Sequence, residues 1–210
     1  RLEPKHKQHI RVEFYGRMLP EIMPLARRYD VESMVQCFDP VPYAQSLNLQ
    51  RGADVLLLLL WNDPRERGVF TGKLFEYLGA RRPILATGLE DGVAAELIRT
   101  RQAGFVSNRP DEIAGMLAQW CDAKQRDGRL ADVPAYACAG LSRVEQFRKL
   151  GGVLAEVAKD ARSSVVPSSV LVVIPKLDIG GTEQHLLSVL PRLDRSGYQV
   201  EVFALAGGGG

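Results

Sequence analysis

The run Val55–Trp61, VLLLLLW, constrains the fold of this chain more than any other stretch of its sequence. It is far too short to cross a bilayer, which takes about 20 apolar residues, so we expect it to be buried in the protein. A continuous apolar run of this length predicts a parallel strand covered on both faces, at the centre of a sheet. Trp61, at the end of the run, is expected to belong to the core, and the alternative is that it lines a ligand cleft at the end of the strand together with Asn62 and Asp63.

Predicted strands and helices alternate on both sides of this run. Strand patterns occupy residues 10–15, 31–38, 83–87 and 104–108, and helical patterns occupy residues 19–30, 42–53, 71–80, 91–102, 109–127 and 142–159. Asp91 is the expected N-cap of its helix. The alternation predicts an α/β fold, with a Rossmann-like parallel sheet and helices on both faces. In such sheets ligands bind beyond the carboxyl ends of the strands.

Composition excludes several functional classes. A formal net charge of +2, with the two signs interspersed, gives no reason to expect nucleic acid as a partner. The three cysteines, Cys37, Cys121 and Cys138, have no paired spacing, which indicates a reducing compartment rather than a disulfide framework. Cysteines and histidines do not recur at metal-ligand spacing, so we expect no metal site. These features favour a cytoplasmic protein.

A second unit is predicted after a short polar segment. Residues 162–169, RSSVVPSS, are typical of a linker, so residues 1–161 form the expected first domain. Residues 170–206 predict a strand, a glycine turn, a helix and a second strand, which is the incomplete start of another domain. The final residues, 207–210, are a glycine tail that we leave out of the fold.

The glycine turn of that second unit is a candidate ligand site. Gly180 and Gly181 allow a tight turn and the close approach of a ligand. Thr182, or the backbone of Gly181, would open the following helix, and Glu183 would complement its dipole. A dinucleotide-binding turn requires G-x-G-x-x-G, which DIGGTEQH does not supply.

The main candidate site follows the apolar run, in GVFTGKLFE (residues 68–76). The predicted helix begins near Thr71, and the free N–H groups at a helix start favour an anion. Gly68 and Gly72 let a ligand approach the backbone closely.

Two charged residues complete this site. Lys73 places a positive charge in the first turn of the helix, where an anionic ligand would offset its unfavourable interaction with the dipole. Glu76, about one turn further on, can accept hydrogen bonds from a sugar diol. Phosphate near the turn and ribose near Glu76 together indicate a nucleotide. The alternative is a surface lysine beside a helical glutamate, and spacing alone does not decide between the two.

The stretch TGKLFEYLGARRPILATG resembles the donor-binding segment of family 4 of the glycosyltransferases with the GT-B fold. Many members of that family have a short glycine turn followed by K-L-F-E-Y-L-A-A-G-R-P-I-L-A. The segments IRVEFYG, PVPYAQSLNLQRGADVLLLLLW and AAELIRTRQAGFVSN also fit, so the resemblance covers roughly residues 9–158. It implies that this region is a C-terminal, donor-binding half-domain.

The resemblance also implies individual roles. Glu76 would hold the donor ribose, backbone N–H groups around Phe70 and Thr71 would hold the diphosphate, and Lys73 would be a supporting contact. The family usually has a second glutamate eight positions earlier, near the transferred sugar, but here that position is Gly68. Whether Glu66 replaces the missing acid stays open. The resemblance therefore supports nucleotide recognition more firmly than catalysis.

The second unit, in VIPKLDIGGTEQHLLSVLPRLDRSGYQVEVFAL, resembles the first strand–helix–strand unit of the N-terminal half of the same superfamily. The order, a C-terminal half before the start of an N-terminal half, leads us to expect a fragment that spans two tandem modules and is inactive alone. A circular permutant is the alternative.

The resemblance implies a retaining hexosyltransferase of polysaccharide biosynthesis. It would move a sugar from a nucleotide-diphosphate sugar to a glycan or lipid-linked acceptor, without a cofactor or an obligatory metal. The expected location is the cytoplasm, with peripheral association at the inner face of the membrane. Two alternatives remain, a non-catalytic nucleotide- or sugar-binding module and a nucleotide-sugar epimerase of the GT-B fold.

Overall fold

The computed structural model describes residues 2–17, 19–161, 168–176 and 198–206, and the chain divides into two compact units. The first unit is Arg1–Ala139 and the second is Gly140–Gly210. Sequence composition placed the helix predicted at residues 142–159 in the first domain, whereas this division groups it with the second unit.

The strands of the first unit run parallel within two sheets. In chain order they are β1 (Val12–Tyr15), β2 (Val35–Phe38), β3 (Leu56–Leu59), β4 (Ile84–Thr87) and β5 (Gly104–Val106). β1 pairs with β2, while β3, β4 and β5 form the second sheet in that order. Helices flank these sheets, so the predicted α/β class with a Rossmann-like parallel arrangement is confirmed.

β3 carries the apolar run, but it lies at the edge of its sheet. Within the described part of the chain it pairs with β4 alone, with Leu56 opposite Ile84. Leu56 and Leu58 are buried, whereas Leu59 is 63% exposed and Trp61 is 77% exposed. The prediction of a central strand covered on both faces was therefore wrong, and Trp61 does not belong to the core. Among the described strands none pairs with the other edge of β3, and Trp61 lies two residues beyond the end of the strand.

Helices occupy most of the chain between the strands of the first unit. In chain order they are α1 (Pro4–Lys7), α2 (Ile22–Arg28), α3 (Tyr43–Gly52), α4 (Gly72–Ala80), α5 (Val93–Thr100) and α6 (Pro110–Asp127). Short 3₁₀ turns lie at Leu19–Glu21, Glu32–Met34, Pro64–Glu66 and Ala135–Cys138. The helices predicted between residues 42 and 127 have nearly the predicted bounds.

The core of the first unit lies between the second sheet and helices α4 and α5. α4 contacts β3, and α5 contacts β5. Leu74 and Leu78, four positions apart on one face of α4, are fully buried. Ile98 of α5 and Ile84 of β4 are fully buried as well. Burying an aliphatic side chain of this size contributes roughly 1.5–3 kcal/mol, which fixes α4 against the strand before it.

Two arginines anchor the end of α4. Arg81 ends the helix in a left-handed conformation, and its Nε donates to the carbonyl of Val133 at 3.0 Å. Nε of Arg82 donates to the carbonyl of Ala53 at 2.6 Å, and its guanidinium lies 2.9 Å from Asp132. Positive charge at a helix C-terminus complements the helix dipole, and the structure adds these specific acceptors.

A contact that the sequence did not predict holds the N-terminal helix α1. His6 is only 5% exposed, and its Nε2 lies 3.0 Å from Oδ1 of Asp122 on α6. This contact joins residues far apart in sequence within the first unit.

The second unit contains α7 (Arg143–Ala161), β6 (Ser168–Lys176) and β7 (Tyr198–Ala206). β6 and β7 pair in parallel, with Ser168 opposite Tyr198, so the two strands of the predicted strand–helix–strand unit are present. Ser168 and Ser169, predicted to be linker, belong to β6. Residues 162–167, 177–197 and 207–210, with the rest of the linker, the predicted helix and the glycine tail, lie outside the described residues.

Candidate functional site

The N-terminus of α4 follows the loop that leaves the carboxyl end of β3. Thr71 is its N-cap residue, and Oγ1 of Thr71 accepts a hydrogen bond from the N–H of Leu74 at 3.4 Å. The N–H groups of Gly72 and Lys73 have no hydrogen-bond partner among the described residues. The first turn contains no acidic side chain. Free N–H groups and the positive end of the helix dipole therefore coincide here, which favours an anion.

Glu76 accepts two hydrogen bonds on the same carboxylate oxygen. Nζ of Lys73 donates to Oε2 of Glu76 at 2.8 Å, and Nε2 of Gln50 donates to that oxygen at 3.0 Å. Oε1 of Glu76 has no hydrogen-bond partner within the described part of the chain. The side chain of Glu76 is 22% exposed and that of Lys73 is 55% exposed. The contact with Lys73 alone would be a surface ion pair, which typically contributes about 0–1 kcal/mol. The hydrogen bond from the buried amide of Gln50 is a second interaction, which a surface ion pair does not include.

Gln50 is the residue of this site that sequence reasoning missed. It lies in the last turn of α3, it is 8% exposed, and α3 contacts α4. Its Oε1 is buried without a hydrogen-bond partner in the described residues. Polar side chains this deeply buried are rare unless they are paired. The available signal was a glutamine three positions after Leu47, a spacing that places the two side chains on one face of the helix.

Tyr77 borders the pair formed by Lys73 and Glu76. Burial is the largest cause that raises the pKa of its phenol, the positive charge of Lys73 lowers this pKa, and the negative charge of Glu76 raises it. The phenol is therefore neutral at physiological pH and gives the charged pair a partly apolar neighbour.

The turn before α4 is open to solvent. A Cβ placed on Gly68 or Gly72 would meet no atom within 4 Å, so the backbone itself does not require glycine at either position. Phe70 is 46% exposed, and its ring lies 5.6 Å from that of Phe75 in a tilted arrangement. Glu66, the candidate replacement for the acid missing at Gly68, ends the preceding 3₁₀ turn and is half-buried.

The loop that leads into α4 is fixed to the start of α5. The carbonyl of Arg67 accepts a hydrogen bond from the N–H of Val93 at 2.9 Å, and its guanidinium lies 2.5 Å from Asp91. The N-cap of α5 is Gly92, so the prediction of Asp91 as N-cap was wrong. The physical reason is that the Asp91 carboxylate pairs with the guanidinium of Arg67. The carbonyl of Arg67 accepts the hydrogen bond from the N–H of Val93, the first residue of α5.

The loops after β4 and β5 are also joined at this edge. Gly88 has a φ of +118°, and a Cβ there would lie 2.3 Å from the carbonyl oxygen of Leu60. Asn108 accepts from the N–H of Gly88 and donates to its carbonyl, both at 2.7 Å. The N–H of Asn108 donates to Oε1 of Glu90 at 2.6 Å. These hydrogen bonds hold the loops after β4 and β5 together at the carboxyl edge of the second sheet.

A concave region of about 700 Å³ lies at the carboxyl ends of β1 and β2, and the sequence did not predict it. The side chains of Tyr15 and Phe38, at those two strand ends, stack with their centroids 4.7 Å apart. Arg17 and Asp39 contribute opposite charges to its lining. A volume of this size is typical of small-molecule sites.

The second candidate site cannot be placed in the same way. Gly180, Gly181, Thr182 and Glu183 lie outside the described residues, so their proposed role stays a prediction.

No group of three or more His, Cys, Asp or Glu side chains in the described ranges is arranged to hold a metal ion. No helix in those ranges combines the length and the apolar content that crossing a bilayer requires.

Comparisons with known proteins do not assign this chain to a family. No family model matches it, and no curated protein matches it. The resemblance to family 4 of the glycosyltransferases therefore stays a prediction that rests on the motif in residues 71–88 and its flanking segments.

Proposed function

We propose that residues 68–76 bind the nucleotide diphosphate of a nucleotide sugar, and that the protein is a glycosyltransferase acting on a glycan or lipid-linked acceptor. One observation carries this proposal. A carboxylate held by a buried amide, Glu76 by Gln50, lies one turn from a helix start at which the N–H groups of Gly72 and Lys73 have no hydrogen-bond partner among the described residues. A lysine and a glutamate on an ordinary helix surface would not need the buried amide.

The start of α4 suits the diphosphate. The N–H groups of Gly72 and Lys73 and the ammonium group of Lys73 offer donors and positive charge in the first turn. Preorganised donors of this kind stabilise negative charge without reorganisation during the reaction. In this proposal they offset the charge of the leaving nucleotide diphosphate, and no obligatory metal is invoked.

Glu76 suits the ribose. Its Oε1 has no hydrogen-bond partner among the described residues, whereas Oε2 is already held. An ionised carboxylate accepts and does not donate, so it matches the two hydroxyl donors of a ribose diol. Hydrogen bonds to a charged group are about twice as strong as neutral ones, which makes this contact a substantial part of nucleotide affinity.

A non-catalytic nucleotide- or sugar-binding module is the second candidate, and Gly68 favours it. The position at which the resembling family has an acid near the transferred sugar is Gly68 here, and a Cβ on it would meet no described atom within 4 Å. Glu66 lies in the preceding 3₁₀ turn instead. A nucleotide could bind at α4 without any group in place to assist transfer.

The cellular setting of the proposal follows from the resemblance alone. Nucleotide-sugar donors point to the cytoplasm, and a lipid-linked acceptor points to peripheral association with the inner face of the membrane. The proposed partners are therefore a nucleotide-sugar donor and a saccharide acceptor.

A thermal-stability measurement tests the proposal. We expect UDP-, GDP- or TDP-sugars at millimolar concentration to raise the midpoint of unfolding by about 3 °C, since a ligand at ten times its Kd stabilises by about 1.4 kcal/mol. Inorganic pyrophosphate should produce a smaller rise through the helix start alone. Absence of any shift with all three nucleotide classes would contradict the donor-site proposal.

Release of nucleotide distinguishes the two candidates. Because residues 1–210 are expected to be inactive alone, release is measured on the full-length protein. A full-length glycosyltransferase should split the nucleotide sugar that stabilises it and release free UDP, GDP or TDP, slowly when water is the acceptor and faster with glycan acceptors. Stabilisation of the full-length protein by the same compound without any release, with a panel of acceptors present, would favour the binding module.

A further inference from the structure

The carboxylate of Glu76 is held unevenly, and this asymmetry carries a further inference. Each carboxylate oxygen offers two lone pairs. Oε2 of Glu76 already accepts from Lys73 at 2.8 Å and from Gln50 at 3.0 Å, so its capacity is filled. The capacity of Oε1 is not used by any described residue. The free protein therefore presents one occupied oxygen and one open oxygen.

The two donors to Oε2 differ in their freedom to move. Lys73 is 55% exposed and stands in the first turn of α4, where a bound diphosphate would offer it more negative charge than a single carboxylate. Gln50 is 8% exposed at the end of α3 and cannot swing into solvent without leaving the contact between the two helices. If Lys73 turns to the phosphates, Gln50 is the remaining described donor to Glu76.

The orientation of the Gln50 amide follows from the charge it faces. An amide oxygen placed against a carboxylate would be repelled, so the NH₂ group faces Glu76 and the amide oxygen points elsewhere. That oxygen, Oε1 of Gln50, is buried without a hydrogen-bond partner in the described part of the chain. An unpaired buried acceptor destabilises a fold, and methionine or leucine would avoid it. The contact with Glu76 is the one described interaction that offsets this cost.

We infer that Gln50 is a positioning residue, which holds the Glu76 carboxylate for the ribose while Lys73 contacts the phosphates, and which thereby makes the site prefer ribonucleotides. This inference rests on the proposed function. With Oε2 anchored by the buried amide, Oε1 has a fixed position and accepts from the ribose hydroxyls. Without the anchor, the carboxylate follows Lys73 or rotates into solvent, and the hydroxyls lose a defined acceptor.

The test compares ribose with dideoxyribose in variants of the whole 210-residue chain. Affinities for UDP and GDP, and for their 2′,3′-dideoxy analogues, are measured by calorimetry on the wild type and on Gln50→Met. We expect the wild type to prefer the ribonucleotide about tenfold, the effect of one hydrogen bond to a charged group. Gln50→Met should reduce that preference to about twofold and leave the dideoxy affinity within about twofold of wild type.

The same helix supplies a matched control. Gln45 is exposed on α3, so Gln45→Met makes the same chemical change away from Glu76 and should keep the wild-type preference. Gln50→Asn keeps a buried amide but shortens the side chain, so that the amide no longer reaches Glu76. This variant replaces Gln50→Met in the test if the Gln50→Met protein does not fold. It should lose the ribose preference as Gln50→Met does. A purely structural role would weaken both nucleotide types equally in the Gln50 variants.

The outcomes separate this inference from the proposed function. Loss of the ribose preference in the Gln50 variants, with dideoxy binding retained, supports the inference. A wild type that binds nucleotides and Gln50 variants that keep its ribose preference would overturn the inference and leave the proposed function intact. A wild type that binds ribose and dideoxyribose forms equally would also overturn it. A wild type that binds no nucleotide would overturn both.

Discussion

Glu76 and Glu66 lie ten residues apart but have different surroundings, and the difference predicts their effects on nucleotide binding. Glu76 is held by Gln50 and Lys73 beside the start of α4, whereas Glu66 belongs to the preceding 3₁₀ turn. We expect Glu76→Ala to raise the Kd for the preferred nucleotide at least tenfold, since hydrogen bonds to a charged group contribute about 1.5–3 kcal/mol. Glu66→Ala should change the Kd less than about threefold by calorimetry. Equal losses in the two variants would mean that the ribose contact is assigned to the wrong glutamate.

A second prediction at the residue scale concerns the glycine that lets β4 and β5 approach. A Cβ on Gly104 would lie 1.9 Å from the carbonyl oxygen of Ile84, a backbone atom in the neighbouring strand that cannot move aside. Gly104→Ala should therefore lower the free energy of unfolding by at least about 2 kcal/mol in a denaturant titration. A Cβ on Gly115, within α6, would meet no atom within 4 Å, so Gly115→Ala is the control and should stabilise by up to about 1 kcal/mol. A Gly104→Ala protein as stable as wild type would contradict the β4–β5 register.

Sequence reasoning found the parts of the site that depend on local spacing. Thr71, Lys73 and Glu76 lie within one helical segment, so a pattern of a few residues was enough to bring them together. Gln50 joins them only through the packing of α3 against α4, which no local pattern contains. Asp91 failed as a predicted N-cap for the same reason, since its partner Arg67 is distant in sequence.

At the scale of single elements, the start of α7 shows a complete capping box. Oγ of Ser142 accepts from the N–H of Glu145 at 3.2 Å, and the N–H of Ser142 donates to the Glu145 carboxylate at 3.2 Å. The N–H of Gly140 donates to the same carboxylate at 3.1 Å. This reciprocal arrangement satisfies donors that a helix start leaves free, and it explains why the helix begins where the sequence predicted.

These contacts make the start of α7 sensitive to acid. The Ser142 hydroxyl, and then the N–H groups of Ser142 and Gly140, hold the pKa of Glu145 below its ordinary value. A lowered pKa in the folded state contributes stability that is present above the ordinary glutamate pKa of about 4.3 and is lost as pH falls through the lower folded value. We expect an NMR titration of Glu145 to show the lowered pKa, with the first turn of α7 fraying below it. Ser142→Ala should move the pKa of Glu145 upward, and an unchanged value would contradict the capping box.

The apolar run illustrates what sequence does and does not reveal about a strand. Its length and composition were enough to predict a strand within residues 55–61, and β3 is found at Leu56–Leu59, with Leu56 and Leu58 buried. Its position in the sheet depended on whether β1 and β2 join the same sheet, which is a property of long-range pairing. In the described part of the chain they form a separate sheet and no strand pairs with the other edge of β3. Trp61, two residues beyond the end of β3, is exposed.

At the scale of the whole molecule, the boundary between the two units is the point at which sequence and structure differ most. The polar segment at residues 162–169 predicted a domain end at residue 161. The division of the structure instead falls between Ala139 and Gly140, before α7. Composition marks a segment that is rich in small polar residues, but it does not reveal to which compact unit the preceding helix belongs.

Two truncated chains decide to which unit α7 belongs. Gln50, Lys73 and Glu76 all lie in Arg1–Ala139, and their described contacts stay within that unit. A chain of residues 1–139 should therefore fold cooperatively and keep a nucleotide-dependent rise in its unfolding midpoint of about 3 °C, equal to that of residues 1–161. Residues 140–210 alone should show no such rise, which provides the control. If residues 1–161 fold and respond while residues 1–139 do not, α7 completes the first domain as the sequence predicted, and the division at Ala139 does not describe an independent folding unit.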